Sequence, residues 1–352
     1  MILMQNDFYD LAERLFGEVC TPVVIRQIEQ GAATQSLWAS LSSVGFADAL
    51  LPETAEGAGL SLTEIWPMLF SMGRHALPLP YAQTLFARAW LHRARLESSL
   101  SGQVRERGLP EGTITFAPFQ LARTDQGLKA CGVAFGRTAN WVLAQSGSDV
   151  WLLPVEQAHS TPSGGYGSLE ADLVWSAEVA GASLVGQFQS PQFREYLALS
   201  LAVLIAGAAD RVFEMTLAWA NQREQFGKPI GRFQALQQQI SEVAEQVFGV
   251  RMAAEMACRS LTWQPAPALS ALAKAQTSQA VARVVAVAHA VHGAIGVTHE
   301  FDLQLYTRRL NEWARAGGGA GYWSGVLGQQ VLLAKTSALD YVRTELFFES
   351  QA

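Results

Sequence analysis

The chain has 352 residues, 49% of them hydrophobic and 16% charged, which is enough apolar material for a large core and too much for intrinsic disorder. Its formal net charge is −6 and no basic patch stands out, so nucleic acid is not an expected partner. No uninterrupted apolar run reaches the roughly 18–20 residues of a membrane span, and the opening MILMQNDFYDLAERLF is acidic and amphipathic rather than a basic-then-apolar secretory signal.

Cys20, Cys131 and Cys258 are odd in number and far apart. They read as reduced thiols of a cytoplasmic protein. His289 and His292 lie one helical turn apart, but no acidic or thiol side chain is near them in sequence, so no metal site is expected.

In chain order, residues 1–108 read as an N-terminal helical domain. Leu11, Leu15 and Val19 fall on one helical face, and Leu69, Met72 and Leu77 continue the pattern. Between these, Leu51-Pro52 to Gly57-Ala58-Gly59 reads as a loop. Residues 109–190 switch to short alternating runs, a small middle β domain. Trp141–Gln145 and Val150–Pro154 flank Ser146-Gly147-Ser148-Asp149, which predicts a hairpin. Ser163-Gly164-Gly165-Tyr166-Gly167 reads as another loop. Residues 191–352 return to helix. Leu201, Leu204, Ile205, Ala208, Val212, Met215 and Trp219 keep one helical face. Phe233, Leu236, Ile240, Val243 and Val247 step by three and four, the spacing of a bundle helix. Ala268–Val291 and 322–347 complete four long helices. The fold class that follows is mainly α with a small central β domain.

Two segments carry chemistry. Arg223 to Gln234 places a cation, an aromatic ring, a glycine turn and an amide at the join of two periodic helices. Gly227 and Pro229 break the helix, so Arg223 ends one helix and Gln234 starts the next. Free amides at a helix start favour phosphate oxygens, an arginine fork suits a pyrophosphate, and Phe226 offers a stacking face. The bland alternative is a helix hairpin capped by a salt bridge, with Phe226 as a core plug. The second segment runs from Gly293 to Arg309. Gly293 and Gly296 permit close backbone approach. The alternative is a plain helix–loop–helix whose Arg308 and Arg309 are solvated or paired with Glu300 and Asp302.

Together these segments and their architecture resemble the acyl-CoA dehydrogenases. Arg223, Phe226, Gly227 and Gln234 meet the family pattern R-x-x-F-G with a glutamine seven residues after the glycine, and the loop Pro52 to Gly59 resembles its P-E-x-x-G-G-x-G segment, with Glu56 replacing one glycine. The resemblance implies an N-terminal helical domain, a β-barrel-like middle and a C-terminal four-helix bundle. It implies FAD, with residues like Arg223, Phe226 and Gln234 holding the nucleotide half of a flavin whose ring lies mainly in a neighbouring subunit, and Gly293 to Gly296 meeting the same end. It implies removal of an acyl thioester's α proton with hydride transfer from the β carbon, which needs a carboxylate base.

The base is where the chain departs from the pattern. One family register places it on Gly317, inside Ala316-Gly317-Gly318-Gly319, and another falls near Leu197. Glu195 is two positions from Leu197, about 200° around a helix. The family's flavin-ring segment is also missing; the equivalent region reads Thr115 to Asp125. The losses fall on the chemical side and the nucleotide side is kept, as in small subunits of the branch that forms α2β2 heterotetramers acting on CoA thioesters of steroid side chains; residues 293–309 resemble a segment of those subunits. The resemblance therefore implies a base-lacking subunit with a homologous partner chain, an acyl-CoA substrate, and an electron-transfer flavoprotein or similar acceptor. A self-sufficient flavoenzyme using Glu195, and a flavin-free scaffold, are the alternatives.

Overall fold

The structure, a computed structural model, describes residues 2–97, 108–125, 127–176, 179 and 183–346. Five helices come first: α1 (Ile2–Val19), α2 (Pro22–Glu29), α3 (Gln35–Ser42), α4 (Leu62–Arg74) and α5 (Tyr81–Glu97). On α1 the buried stripe is Ala12 and Phe16, continued by Cys20 just past its end, one residue on from the expected one; Leu11 is 44% exposed, and Leu15 and Val19 only flank the core. The bulk of Phe16 sets the rotation, because burying the larger ring removes more apolar area from water. Leu69, Met72 and Leu77 are buried as expected. α4 starts with a capping box: the Glu64 carboxylate accepts from the Ser61 N–H (2.8 Å) and hydroxyl (2.7 Å), and these bonds hold that carboxyl below the usual range.

The strands are β1 (Ile114–Phe116), β2 (Ala122–Thr124), β3 (Gly127–Val133), β4 (Trp141–Ser146), β5 (Asp149–Pro154), β6 (His159–Pro162), β7 (Ala171–Trp175) and β8 (Ser183–Gln187). They form two four-stranded sheets, ordered β1-β4-β5-β8 and β2-β3-β7-β6. All pairings are antiparallel except β1 with β4. Val142, Ala144 and Leu153 of one sheet share an apolar core with Val133, Leu173 and Trp175 of the other. The expected β4–β5 hairpin is present, with Gly147 at φ +63° in its turn.

The bundle follows: α6 (Phe193–Gln222), a two-residue hairpin β9 (Glu224–Gln225) and β10 (Lys228–Pro229), α7 (Gln234–Ala257), α8 (Pro267–His292), α9 (Leu303–Arg315), α10 (Ala320–Ala334) and α11 (Ala338–Tyr341). α6 is the spine, packed against α4, α7, α8 and α9. α6 and α8 are each long and apolar enough to cross a membrane, and the apolar window of α6 is 83% buried inside the protein. Gly207 of α6 and Gly73 of α4 face each other's backbones: a Cβ on Gly207 would lie 2.0 Å from the Phe70 carbonyl oxygen, and one on Gly73 would lie 2.3 Å from that of Leu204. The first helices therefore dock on the bundle through a contact that only glycine permits.

The expected long helix over 322–347 is not continuous. Lys335 takes a left-handed φ of +54°, and Ser337 caps the next turn by accepting from the Asp340 N–H at 3.1 Å. A side-chain cap competes with helix continuation, and it overrides the apolar run Val331-Leu332-Leu333. The end of that expected helix, residue 347, lies outside the described residues.

Two polar clusters fix α9. Arg309, fully buried, donates to Glu29 (2.6 Å), to Glu312 and to the Gly167 carbonyl; Arg308 donates to the other Glu29 oxygen at 2.7 Å. The arginine pair is thus held by the end of α2, not by Glu300 or Asp302. Asp302 pairs with Arg26 at 2.6 Å. Burial pushes the Glu312 carboxyl up, and Arg309 pulls it partly back. Lys274 of α8 is also fully buried. Its ammonium donates to Ser278 Oγ (3.0 Å) and to the carbonyls of Trp313 (2.7 Å) and Ala314 (3.0 Å). It thereby caps the C-terminal, negative end of α9.

Burial depresses the Lys274 pKa to about 7. Between that value and the roughly 10.4 of an unfolded lysine, the unfolded chain carries the extra proton. This group therefore makes stability rise with pH across that window, by up to about 1.4 kcal/mol per pH unit, and contributes no slope below it. Unfolding free energies of the parent and of Lys274→Met, measured from pH 6 to 10, are expected to differ by this slope; parallel curves would contradict it.

Candidate functional site

The Arg223–Gln234 segment begins where α6 ends. Arg223 leaves helical geometry (φ −73°, ψ 119°) while its N–H still bonds the Trp219 carbonyl at 2.8 Å. The chain then reverses in the β9–β10 hairpin, with Gln225 opposite Lys228. Phe226 (φ +52°) and Gly227 (φ +77°) form its tip. Positive φ at both central residues is what a tight two-residue hairpin demands. Glycine meets that at no cost, but phenylalanine adopts it at a cost of order 1–3 kcal/mol. The Ile230 N–H closes the loop onto the Arg223 carbonyl at 2.8 Å, and the Ile230 side chain is buried.

The tip faces solvent. Phe226 is 92% exposed and touches Phe233 edge-on at 6.1 Å, so it is no core plug. Arg223 is exposed and makes no ion pair among the described residues, so no salt bridge caps this hairpin. Gln234 is the exposed first residue of α7, whose start has no side-chain cap. An open guanidinium, a bare ring, an amide and uncapped helix N–H groups thus share one corner. That set suits an anionic, ring-bearing ligand.

The second segment reaches the same end of the bundle. Trp219, in the last turn of α6, stacks on His292, the last residue of α8, at 5.5 Å and 19°, and Phe301 packs on both. Burial lowers the His292 pKa, with His289 adding to the shift, so this stack is with a neutral imidazole at pH 7. Gly293 caps α8 at φ +68° with open space where a Cβ would go, whereas Gly296 is packed against His292 and Leu303. Gly293 can therefore offer bare backbone to a ligand, and Gly296 serves packing. His289 bonds Thr307 at 3.0 Å and His292 the Ala288 carbonyl at 2.7 Å. Among the described residues no group of three His, Cys, Asp or Glu side chains is placed to hold a metal ion.

The positions expected for a base converge elsewhere. Gly317 is buried at φ +65°, and a Cβ there would lie 3.0 Å from Leu197 Cδ2 and 3.8 Å from Leu201 Cδ1. The two registers, Gly317 on the α9–α10 turn and Leu197 on α6, therefore meet at one point, and both sides of it are apolar. Gly317 edges a cleft of about 600 Å³ that also takes in Glu312, Arg308, Arg315 and the loop Ser163–Tyr166. Glu312 is that cleft's nearest carboxylate in sequence, and its oxygens are taken by Arg309 and the Leu169 N–H. Glu195 lies in the first turn of α6 and lines a different cleft of about 320 Å³, with Gln120, Gln145 and Arg194. Trp323 packs against Ala198, Ala271 and Ala275 rather than lining either cleft.

Three features escaped the sequence reading. Glu29 joins Arg308 across 279 positions, which no local pattern signals. Lys274 could have been found, being a lone lysine in the Ala-rich run Ala271–Ala275. Phe119, Arg194 and Tyr322, from three elements, stack together (5.0 and 4.8 Å).

Comparison with known proteins agrees with this geometry. The family described as "Acyl-CoA dehydrogenase, C-terminal domain" matches residues 195–321. The acyl-CoA dehydrogenase IpdE2 of Mycobacterium tuberculosis is 26% identical over 278 residues, covering 79% of this chain and 80% of that protein. The ChsE4–ChsE5 complex from Mycobacterium tuberculosis superposes with a TM-score of 0.79 at 24% identity, covering 95% of this chain and 98% of that one. A variant of the Tcur3481–Tcur3483 steroid ACAD gives 0.76 at 20% identity, covering 94% and 98%. From its helix–sheet–bundle order and these matches, the chain has the acyl-CoA dehydrogenase fold, and its residues 195–321 match that family's C-terminal domain.

Proposed function

We propose that this chain is the base-lacking subunit of a heteromeric acyl-CoA dehydrogenase and that it grips the nucleotide half of FAD for a related partner chain. When bound, FAD accepts the hydride that leaves the β carbon of an acyl thioester. The observation that carries this reading is the length of α6. Its 30 residues span about 45 Å at 1.5 Å per residue. The open corner follows its last turn, while the Leu197–Gly317 contact and both clefts lie toward its first turns. One dinucleotide cannot reach from one end to the other, so a flavin nucleotide held at Arg223 has its ring in another subunit.

The residues at the corner fit the nucleotide end. Arg223 would hold the pyrophosphate through its guanidinium fork, the first N–H groups of α7 would serve phosphate oxygens, Gln234 would supply an amide, and the exposed Phe226 ring would serve the adenosine side. The strain at Phe226 is explained if a ligand or a partner subunit covers that ring. At the other end, neither Leu197 nor Gly317 can take a proton, so the carboxylate base comes from the partner. The Tcur3481–Tcur3483 steroid ACAD and the character of residues 293–309 favour the CoA thioester of a steroid side chain as substrate, with an electron-transfer flavoprotein or similar acceptor.

In the complex co-expressed with its partner, Arg223→Ala is expected to weaken FAD binding about tenfold to a hundredfold, because a hydrogen bond to a charged group contributes roughly 1.5–3 kcal/mol. Reconstitution of the flavin-stripped complex with FAD measures this, and unchanged affinity would contradict the grip. Glu195→Gln in the same complex is expected to leave kcat within about twofold of the parent. A loss in the roughly 10²–10⁴-fold range of a missing general base would make Glu195 the base and the chain self-sufficient.

A further inference from the structure

The two clefts share one lining residue. Phe119, on the loop between β1 and β2, lines both. Its ring centroid lies 5.0 Å from the Arg194 guanidinium carbon, and that of Tyr322 of α10 lies 4.8 Å from the same carbon. The result is a stack of two rings on one cation, drawn from a sheet loop, the first turn of α6 and the first turn of α10. Arg194 makes no ion pair among the described residues, and its Nε is buried without a hydrogen-bond partner. The stack is therefore what positions the guanidinium, through the attraction between a cation and aromatic faces.

Neither ring belongs to the core. Phe119 is 51% exposed and Tyr322 40% exposed. Two large rings on a cleft wall, joined by a cation with no carboxylate partner, make a plug. Phe119 also lies within Thr115–Asp125, the region that stands where the family's flavin-ring segment is expected. In place of a small, hydrogen-bonding loop that could border a flat ring, the chain puts a flat ring of its own there and clamps it from α6 and α10.

We propose that the Phe119–Arg194–Tyr322 stack closes this chain's own ring cleft, so that an isoalloxazine is excluded here and the grip at Arg223 serves only a ring bound by the partner. This deepens the split-site reading and rests on it. With the stack in place, the 320 and 600 Å³ clefts stay separate. Without the Phe119 ring that lines both, the two open into each other and admit a planar aromatic ligand.

The test uses lumiflavin, which has the ring but neither phosphate nor adenosine, and so cannot use the corner at Arg223. It is titrated into the FAD-loaded complex and followed by fluorescence quenching. The parent complex is expected to show no saturable quenching. The Phe119→Ala/Tyr322→Ala double variant is expected to show saturable quenching in a concentration range where the parent shows none. Equal behaviour of parent and variant, whether both bind or neither does, overturns the plug, provided circular dichroism and melting show the variant folded. Should the double variant not fold, Phe119→Leu keeps the apolar contact, removes the stacking face and is read in the same way. The split site itself stands or falls on FAD affinity at Arg223, so the two failures are distinguishable.

Discussion

The helix from Phe193 to Gln222 is the constraint on which the rest of the molecule depends. Its middle is buried on all sides, which requires a near-continuous apolar sequence and the glycine contact with α4 at Gly207. Its ends are polar and carry the chemistry: Arg194 and Glu195 in the first turn, Arg223 just past the last. A rigid rod of this length keeps the two ends apart whatever the loops do. On the proposed reading, a flavin whose nucleotide end sits at Arg223 has its ring in another subunit.

The bundle's other polar elements keep that geometry rigid. The Glu29–Arg308–Arg309–Glu312 cluster balances two cations against two carboxylates and ties α9 to the end of α2 and to the loop carrying Gly167. A buried cluster of this kind adds little net stability over a well-packed apolar one, but removing one partner strands the others at a cost of roughly 3–5 kcal/mol. Such a cluster therefore specifies one arrangement of α9. Lys274 does the same at the C-terminal end of that helix, just before the turn that holds Gly317.

Much of this was legible in the sequence because it is local. The three-and-four spacing of Leu201 to Trp219 and of Phe233 to Val247 marks two real bundle helices, and the glycine in Ser146–Asp149 marks a real hairpin. The join at Arg223–Gln234 could be placed because Gly227 and Pro229 cannot continue a helix. Even Glu56, written where the resembled pattern has a glycine, holds a left-handed φ of +61°, the conformation glycine favours. What could not be read is long-range or a matter of rotation. The partner of Arg308 lies in another element, the stripe of α1 is turned by one residue, and the break at Lys335 depends on a Ser337 cap beside an apolar run. The Phe119–Arg194–Tyr322 cluster needs three elements that only the fold brings together. The exposure of Phe226 was open too: the same residues serve a core plug or an open grip, and only the hairpin's φ angles and the ring's position decide between them.

In the proposed assembly, two unlike chains share one flavin. Flavin per polypeptide, measured by absorbance after denaturing the complex assembled with its partner, is expected to be one flavin for every two chains; one flavin on every chain would contradict the split site.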